Sequence, residues 1–394
     1  MTFAKQPVRV SATGGNAEEG LGIEVCDADA VTLQRYREDC SDARFMPAQS
    51  PDWVAAWAKH APHPPIIARL CDGDGHLMSL ALEVARQGRF GVARFIGDRH
   101  ANGNFPALNR RVRDGLPGSH LQMLVDAIRH ARPDIDLLVL ERQVRNCGDQ
   151  TNPLSGWPHG DSPNVSLAVD LEGGFDAVLE RSSGKRKRKQ HRSQARKLEA
   201  AGGYERRLAG SRAEAEAMLD AFFEMKAHRF ALMGVQDVFA PDRVKASFRT
   251  LFGDAAEMQN PGFVLHGLEV AGRLRAVTGS SRVGERLICE FSSFADDELS
   301  EASPGRFLFY ENIESACSQG LKIYDFSVGD EYYKRLWCDL ETIQFDTFVP
   351  LTAKGRALAL TRGGIARAKR LINNNPRLWA IAKAVRRRLT PLRG

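Results

Sequence analysis

Apolar residues along this chain keep two periods. Short runs alternate every second residue or are apolar throughout, as strands do, and longer runs repeat near every 3.6 residues, as helices do. In the first half, strands are predicted at Gly22–Cys26, Ile66–Cys71, Leu77–Ala85 and Phe90–Ile96, with an Asp72-Gly73-Asp74-Gly75 turn after the second. Helices are predicted at Ala30–Glu38, at Asp52–His60 with Trp53 and Trp57 on one face, and at Gly118–Ala131; a buried strand follows at Ile135–Glu141. The second half predicts a strand at Val165–Leu171, one long helix over Phe175–Ala200, a strand at Tyr204–Leu208, and helices at Ala213–Leu232 and Ala240–Gly253. Three strands joined by short turns come next, at Gly262–Val270, Arg273–Arg282 and Arg286–Phe294. After a Ser-Pro-Gly break, Phe309, Ile313 and Ala316 mark a helix starting near Arg306 and closed by Gly320. Ile323–Phe326 is a short strand, and Thr342–Val349 the last one. Antiparallel strands, a helix, then another strand define an α+β fold with a mixed sheet.

The same order of elements occurs in both halves, which suggests a tandem duplication. The predicted layout is a disordered Gly/Ala/Ser/Thr-rich N-terminus (1–20), a first module (21–150), a Pro/Gly/Ser/Asn-rich linker (151–163), a second module (164–352) and a basic tail (353–394). A chain of 394 residues with 43% hydrophobic content suits two cores of similar size.

Charge changes the picture only locally. The net charge is +6, but residues 353–394 hold twelve Lys and Arg and no Asp or Glu, which leaves −6 for the rest. Concentrated basicity points to an anionic partner. Seven cysteines lie scattered without a C-x-x-C pair or nearby histidines, a pattern that argues against a metal site and fits free thiols in a reducing cytoplasm. The N-terminus lacks the apolar core of a signal peptide, and no run reaches the ~20 apolar residues of a spanning helix. In the tail, Leu371, Leu378, Trp379, Ile381, Ala382 and Val385 alternate with basic residues, so an anionic membrane surface, an anionic regulatory ligand or acidic surface of the chain itself would suit it.

Candidate chemistry clusters between Arg286 and Leu351. The helix start at Ser303, Gly305 and Arg306 offers open N–H groups, a positive dipole end and a mobile cation, with Ser303 in the capping position; a phosphate would suit it, as would plain packing on a sheet. Asp325 interrupts the apolar run Ile323-Tyr324-Asp325-Phe326, so it must be paired or have a raised pKa. It reads either as a base that orients an acceptor amine or as one end of an ion pair with Lys334 or an arginine, and Glu290 carries the same ambiguity. Lys334 follows Asp330 at i, i+4, which is either a surface salt bridge or a grip on a phosphate. From Lys185 to Lys197 a helix carries almost no apolar residue; Lys185, Lys189, Arg192 and Arg196 share a face, with Arg188 beside them. Such a run is either a solvated face or, given its density of like charge, a seat for an anionic substrate such as a lipid-pyrophosphate-linked sugar or a nucleotide sugar, more than for a nucleic acid, because stacking aromatics are absent nearby. His228 and Arg229, on the following helix, are placed towards the same cleft.

Three strings carry a family resemblance: SSGKRKRKQHRSQARKLEAAGG from Ser182 to Gly203, the SPG turn at Ser303–Gly305, and YDFSVGDEYYKRLW from Tyr324 to Trp337. Together they resemble the GNAT acetyltransferases, in particular the CelD/BcsL type linked to cellulose and exopolysaccharide biosynthesis, with Fem-type aminoacyltransferases as relatives. The resemblance covers roughly residues 160–350 well and the first half loosely. It implies two fused GNAT modules, the first degenerate, with acetyl-CoA as cosubstrate, no metal, and a lipid-linked or polysaccharide amino sugar as acceptor, at the cytoplasmic face of a membrane. It implies a splayed strand pair at Cys289–Ser293 beside Tyr324–Ser327 that polarises the thioester carbonyl and makes Ser293 a cofactor contact. Tyr333 or Tyr332, just beyond the Gly329 turn, reads either as the acid that protonates the leaving thiolate or as a packing aromatic. The pyrophosphate loop departs from the family's Q/R-x-x-G-x-G/A pattern: Glu301-Ala302-Ser303-Pro304-Gly305-Arg306 keeps one glycine, and Pro304 removes an N–H donor. An aminoacyl-tRNA donor, or a GNAT fold kept for binding alone, are the alternatives.

Overall fold

The structure, a computed structural model, describes residues 8–11 and 20–373; the rest of the predicted N-terminal segment and the tail beyond Asn373 lie outside the described residues. In chain order the elements are β1 (Val8–Ser11), β2 (Gly22–Asp27), α1 (Ala30–Ser41), β3 (Ala43–Arg44), α2 (Pro51–His60), β4 (Ile66–Asp72), β5 (Gly75–Gln87), β6 (Phe90–Phe95), β7 (Ala107–Asn109), α3 (Gly118–Ala131), β8 (Leu137–Gln143), β9 (Asn146–Cys147), β10 (Gln150–Thr151) and β11 (His159–Asp170). They continue with α4 (Gly174–Arg181), α5 (Gly184–Ala200), β12 (Tyr204–Leu208), α6 (Arg212–Met233), α7 (Asp242–Ala256), β13 (Phe263–Val270), β14 (Arg273–Val283), β15 (Arg286–Phe294), α8 (Pro304–Ser318), β16 (Ile323–Val328), α9 (Tyr332–Arg335), β17 (Leu340–Pro350) and α10 (Ala353–Asn373).

The chain forms two compact units, residues 1–165 with 343–394, and 166–342. The first has strand order β1-β2-β4-β5-β6-β8-β17, antiparallel except for β6 and β8. Ser50 caps α2 through the Trp53 N–H, and the Trp53 and Trp57 rings stack 5.5 Å apart inside. The second unit has order β11-β16-β15-β14-β13-β12, antiparallel except for β15 and β16. Helices α6 and α7 cover one face with Phe222, Phe248 and Phe252 around Phe291; α8 covers the other with Phe309 and Ile313 over Cys289, Tyr324 and Phe326. Each unit thus repeats three antiparallel strands, a helix, and a strand parallel to the third.

Four details differ from the sequence-based layout. Residues 8–11, expected to be disordered, pair with β2, because their alternating Val8-Arg9-Val10 fits an edge strand. The single helix over 175–200 is broken: Ser183 is left-handed (φ 62°), and Gly184 lies against the Leu179 carbonyl where any Cβ would collide. The helix at the Ser-Pro-Gly break begins at Pro304, earlier than Arg306, and left-handed Ser303 makes no capping bond with its side chain. The last strand, expected to finish the second module, pairs from Phe345 to Pro350 with β8 of the first unit.

Candidate active site

The parallel ladder between β15 and β16 lasts three residues, from Arg286↔Ile323 to Ile288↔Asp325, and then stops while both strands continue. Beyond Ile288 the β16-facing edge of β15 has no ladder partner, leaving backbone groups open to a ligand. A bulge at Glu290, between the pairs Ser280↔Cys289 and Gly279↔Phe291, shifts the alternation by one. Cys289 therefore faces α8, Phe291 points into the aromatic cluster over Gly279, and Ser292 turns back towards the α8 side.

Tyr333 stands at this opening. Its ring lies parallel to Phe309 at 5.5 Å, and its hydroxyl reaches the Ser292 side chain. Burial raises its pKa, so the phenol keeps its proton at neutral pH and suits an acid rather than a base. Tyr332 is 73% exposed and does not line the pocket beside Tyr333. Burial also pushes the Cys289 thiol up to about 12, which removes it as a thiolate nucleophile. Two ammonium groups flank the opening. Lys334 Nζ is buried, donating to the Val328 carbonyl at 2.8 Å and pairing with Glu331 at 2.9 Å; Lys226 Nζ donates to the Ser292 carbonyl at 3.1 Å, its pKa lowered by burial. Lys226 had no sequence signal, since a lysine among Phe222, Phe223 and Phe230 reads as a snorkelling surface residue.

A cleft of about 320 Å³ lies along α5, lined by Arg186, Lys189, Gln190, Ser193, Gln194, Lys197, Glu301 and Ser303. A smaller pocket of about 40 Å³ shares Arg186, Gln190 and Gln194 with it, and adds Arg306, Tyr333 and Trp337. The cations that face the cleft are thus Arg186, Lys189 and Lys197, none with an ion-pair partner among the described residues. Lys185, Arg188, Arg192 and Arg196 do not line it, and Arg188 pairs with Asp176 instead. The helix start is sparser than the sequence suggested: Pro304 has no N–H, and the Arg306 and Phe307 N–H groups both bond the Ser303 carbonyl. Gly305 packs under the Phe294 ring, which a Cβ would meet at 2.9 Å. The Ser293 hydroxyl is buried without a hydrogen-bond partner among the described residues. An unpaired buried hydroxyl, an open strand edge and unpaired cations fit an anionic acyl donor.

The remaining candidates separate. Asp325 accepts from Arg286 at 2.7 Å, from the Ser327 N–H at 2.7 Å and from the Ser166 hydroxyl at 3.2 Å; its ion-pair partner is Arg286, not Lys334. Asp330 pairs with Arg335 rather than Lys334. Glu290 accepts from the Ser281 hydroxyl at 2.6 Å. Arg229 stacks on Phe294 at 4.6 Å, near the Gly305 helix start, whereas His228 is exposed on α6 and lines neither pocket.

The second unit has the GNAT fold, and the first unit repeats its order of strands and helix. Residues 185–335 match the family model described as an acetyltransferase (GNAT) domain. The chain superposes on FemX (10% identity, TM-score 0.58, covering 84% of this chain and 98% of FemX). It is similar to a conserved protein of unknown function from Bacteroides thetaiotaomicron (11%, TM-score 0.53, 83% and 99%). It is also similar to the C-terminal domain of a candidate lysylphosphatidylglycerol synthetase from Agrobacterium fabrum (11%, TM-score 0.52, 86% and 97%). At these identities the likeness is one of fold. No curated protein matches the chain in sequence.

Proposed function

We propose that the second unit transfers an acyl group, acetyl from acetyl-CoA, to an amino sugar in bacterial surface-polysaccharide biosynthesis, as the resemblance to CelD/BcsL-type proteins implies. The observation that carries the reading is the opened β15–β16 ladder with protonated Tyr333 at its mouth, inside the segment that matches the GNAT domain. The open edge of β15 holds the thioester. Lys226 and Lys334 favour the negative charge that develops on the carbonyl oxygen as the amine attacks. The C–N bond forms, the C–S bond breaks, and Tyr333 gives its proton to the thiolate. Glu290, with its carboxylate at the bulge, accepts the proton released by the amine. Because Cys289 stays a thiol, the transfer is direct rather than through an acyl-cysteine. Asp325 holds β16 in shape through Arg286 and Ser327.

A second reading, an aminoacyl-tRNA donor, draws on the sparse helix start at Pro304, which gives a pyrophosphate few N–H groups. Calorimetry with acetyl-CoA, paired with turnover on glucosamine-type acceptors, decides between them. Binding and turnover support the first; no binding by the intact chain, with aminoacyl-tRNA consumed instead, supports the second.

A further inference from the structure

Helix α10 carries two apolar faces where an ordinary surface helix has one. Its inner face is docked within the first unit. Leu358 and Ala359 pack on Val92, Leu137 and Val139; Gly355 sits against the Asp136 carbonyl with no room for a Cβ; Arg370 pairs with Asp161 at 2.7 Å. Turned away from that contact, Ala353, Ala357, Leu360, Gly364, Ala368 and Leu371 recur every three or four residues and are all exposed. Leu360 is 80% exposed and Leu371 66%, with Ile365 beside them at 51%. Arg356 and Arg367 border the stripe on one side and Lys354 on the other. The helix holds six Lys and Arg and no acid.

We infer that this outer face of α10 lies on an anionic lipid bilayer, with the stripe in the headgroup–acyl boundary and the flanking cations at lipid phosphates. Charge decides the occupant. A second copy of the helix would bring six like charges against six, and nucleic acid would leave the leucines unused on a helix that has no aromatic residue for stacking. Among the described residues no helix is long and apolar enough to cross a membrane, so the contact is with the surface. The inference stands apart from the acyl-transfer reading, because it uses none of the same residues.

The test is co-sedimentation of the full chain with vesicles of phosphatidylcholine alone and of phosphatidylcholine with about a quarter phosphatidylglycerol. Binding to the anionic vesicles is expected to exceed binding to neutral ones at least about tenfold, and to fall as salt rises. Leu360→Glu with Leu371→Glu should lower it about tenfold, as should Arg356→Gln with Arg367→Gln. These positions are solvent-facing, so unchanged circular dichroism and melting should accompany the loss. Val31→Glu, an exposed apolar residue on α1, serves as control and should bind like the parent chain. Equal affinity for both vesicles, no binding to either, or full binding by the leucine variant would overturn the inference. So would a dimer in solution that the leucine variant splits.

Discussion

Tyr333 and Tyr332 are adjacent and chemically alike, yet the structure gives them different surroundings. One is wedged against Phe309 with its hydroxyl at Ser292, and the other faces solvent. Tyr333→Phe should lower kcat by about a hundredfold and leave donor affinity within about threefold, while Tyr332→Phe should do neither; steady-state kinetics on both variants checks this. Asp325 is a second case. Its oxygens are occupied by Arg286, Ser327 and Ser166, so Asp325→Ala should lower stability by about 1–3 kcal/mol, read as a shift in the urea midpoint. The sequence showed that Asp325 needed a partner and offered Lys334 or an arginine. It had no means of choosing, because Arg286 reaches Asp325 only through the parallel pairing of two strands separated by α8.

At the scale of the element, α5 is the instructive case. The basic run is visible in the sequence, but its phase is not, because the residues it buries are Gly184, Lys187, Gln194 and Leu198 rather than an apolar stripe. Lys187 Nζ holds the Leu336 carbonyl at 2.6 Å and lies over the Trp337 ring, and His191 is stacked between Phe307 and Tyr310 while bonding Glu311 at 2.6 Å. Those contacts rotate Arg186, Lys189 and Lys197 into the cleft and turn Arg192 and Arg196 outwards. Replacing the first three with Ala should weaken acetyl-CoA binding at least about tenfold and flatten its salt dependence. Replacing Arg192 and Arg196 should change it less than about threefold. Calorimetry at two ionic strengths distinguishes the sets.

At the scale of the molecule, the two units share a plan but not an opening. In the first unit the parallel ladder of β6 and β8 also ends after three pairs, at Arg94↔Val139. There the space beyond is taken by the chain itself: Asn104 bridges to Gln143, its N–H bonds the Arg142 carbonyl at 2.7 Å, and its side chain bonds the Glu141 carbonyl at 2.8 Å. One acyl donor per chain is the expected calorimetric stoichiometry. The first unit also carries a pH signature. Burial raises the Asp346 carboxyl to about 6, although it accepts the Arg142 N–H. Between the unfolded value near ~4 and about 6, the folded chain binds the extra proton, so this group's contribution to stability is present below ~4 and is lost as pH rises towards 6. Asp346→Asn should therefore raise the melting temperature at pH 8 and leave it unchanged near pH 4.

The order of strands and helices was legible in the sequence because local periodicity and local breakers set it: Gly118–Ala131, Tyr204–Leu208 and Arg286–Phe294 are found where the pattern placed them. The strings that carry the family resemblance were legible for the same reason, being contiguous. Only the tertiary structure decided the Glu290 bulge that turns Ser292 towards Tyr333, the rotation of α5, the Arg286–Asp325 pair, the plug at Asn104, and the membership of β17 in the first unit. Each of these depends on which distant strand edge or helix face a residue meets. Such a meeting is fixed by register and packing across the fold, which no stretch of neighbouring residues encodes by itself.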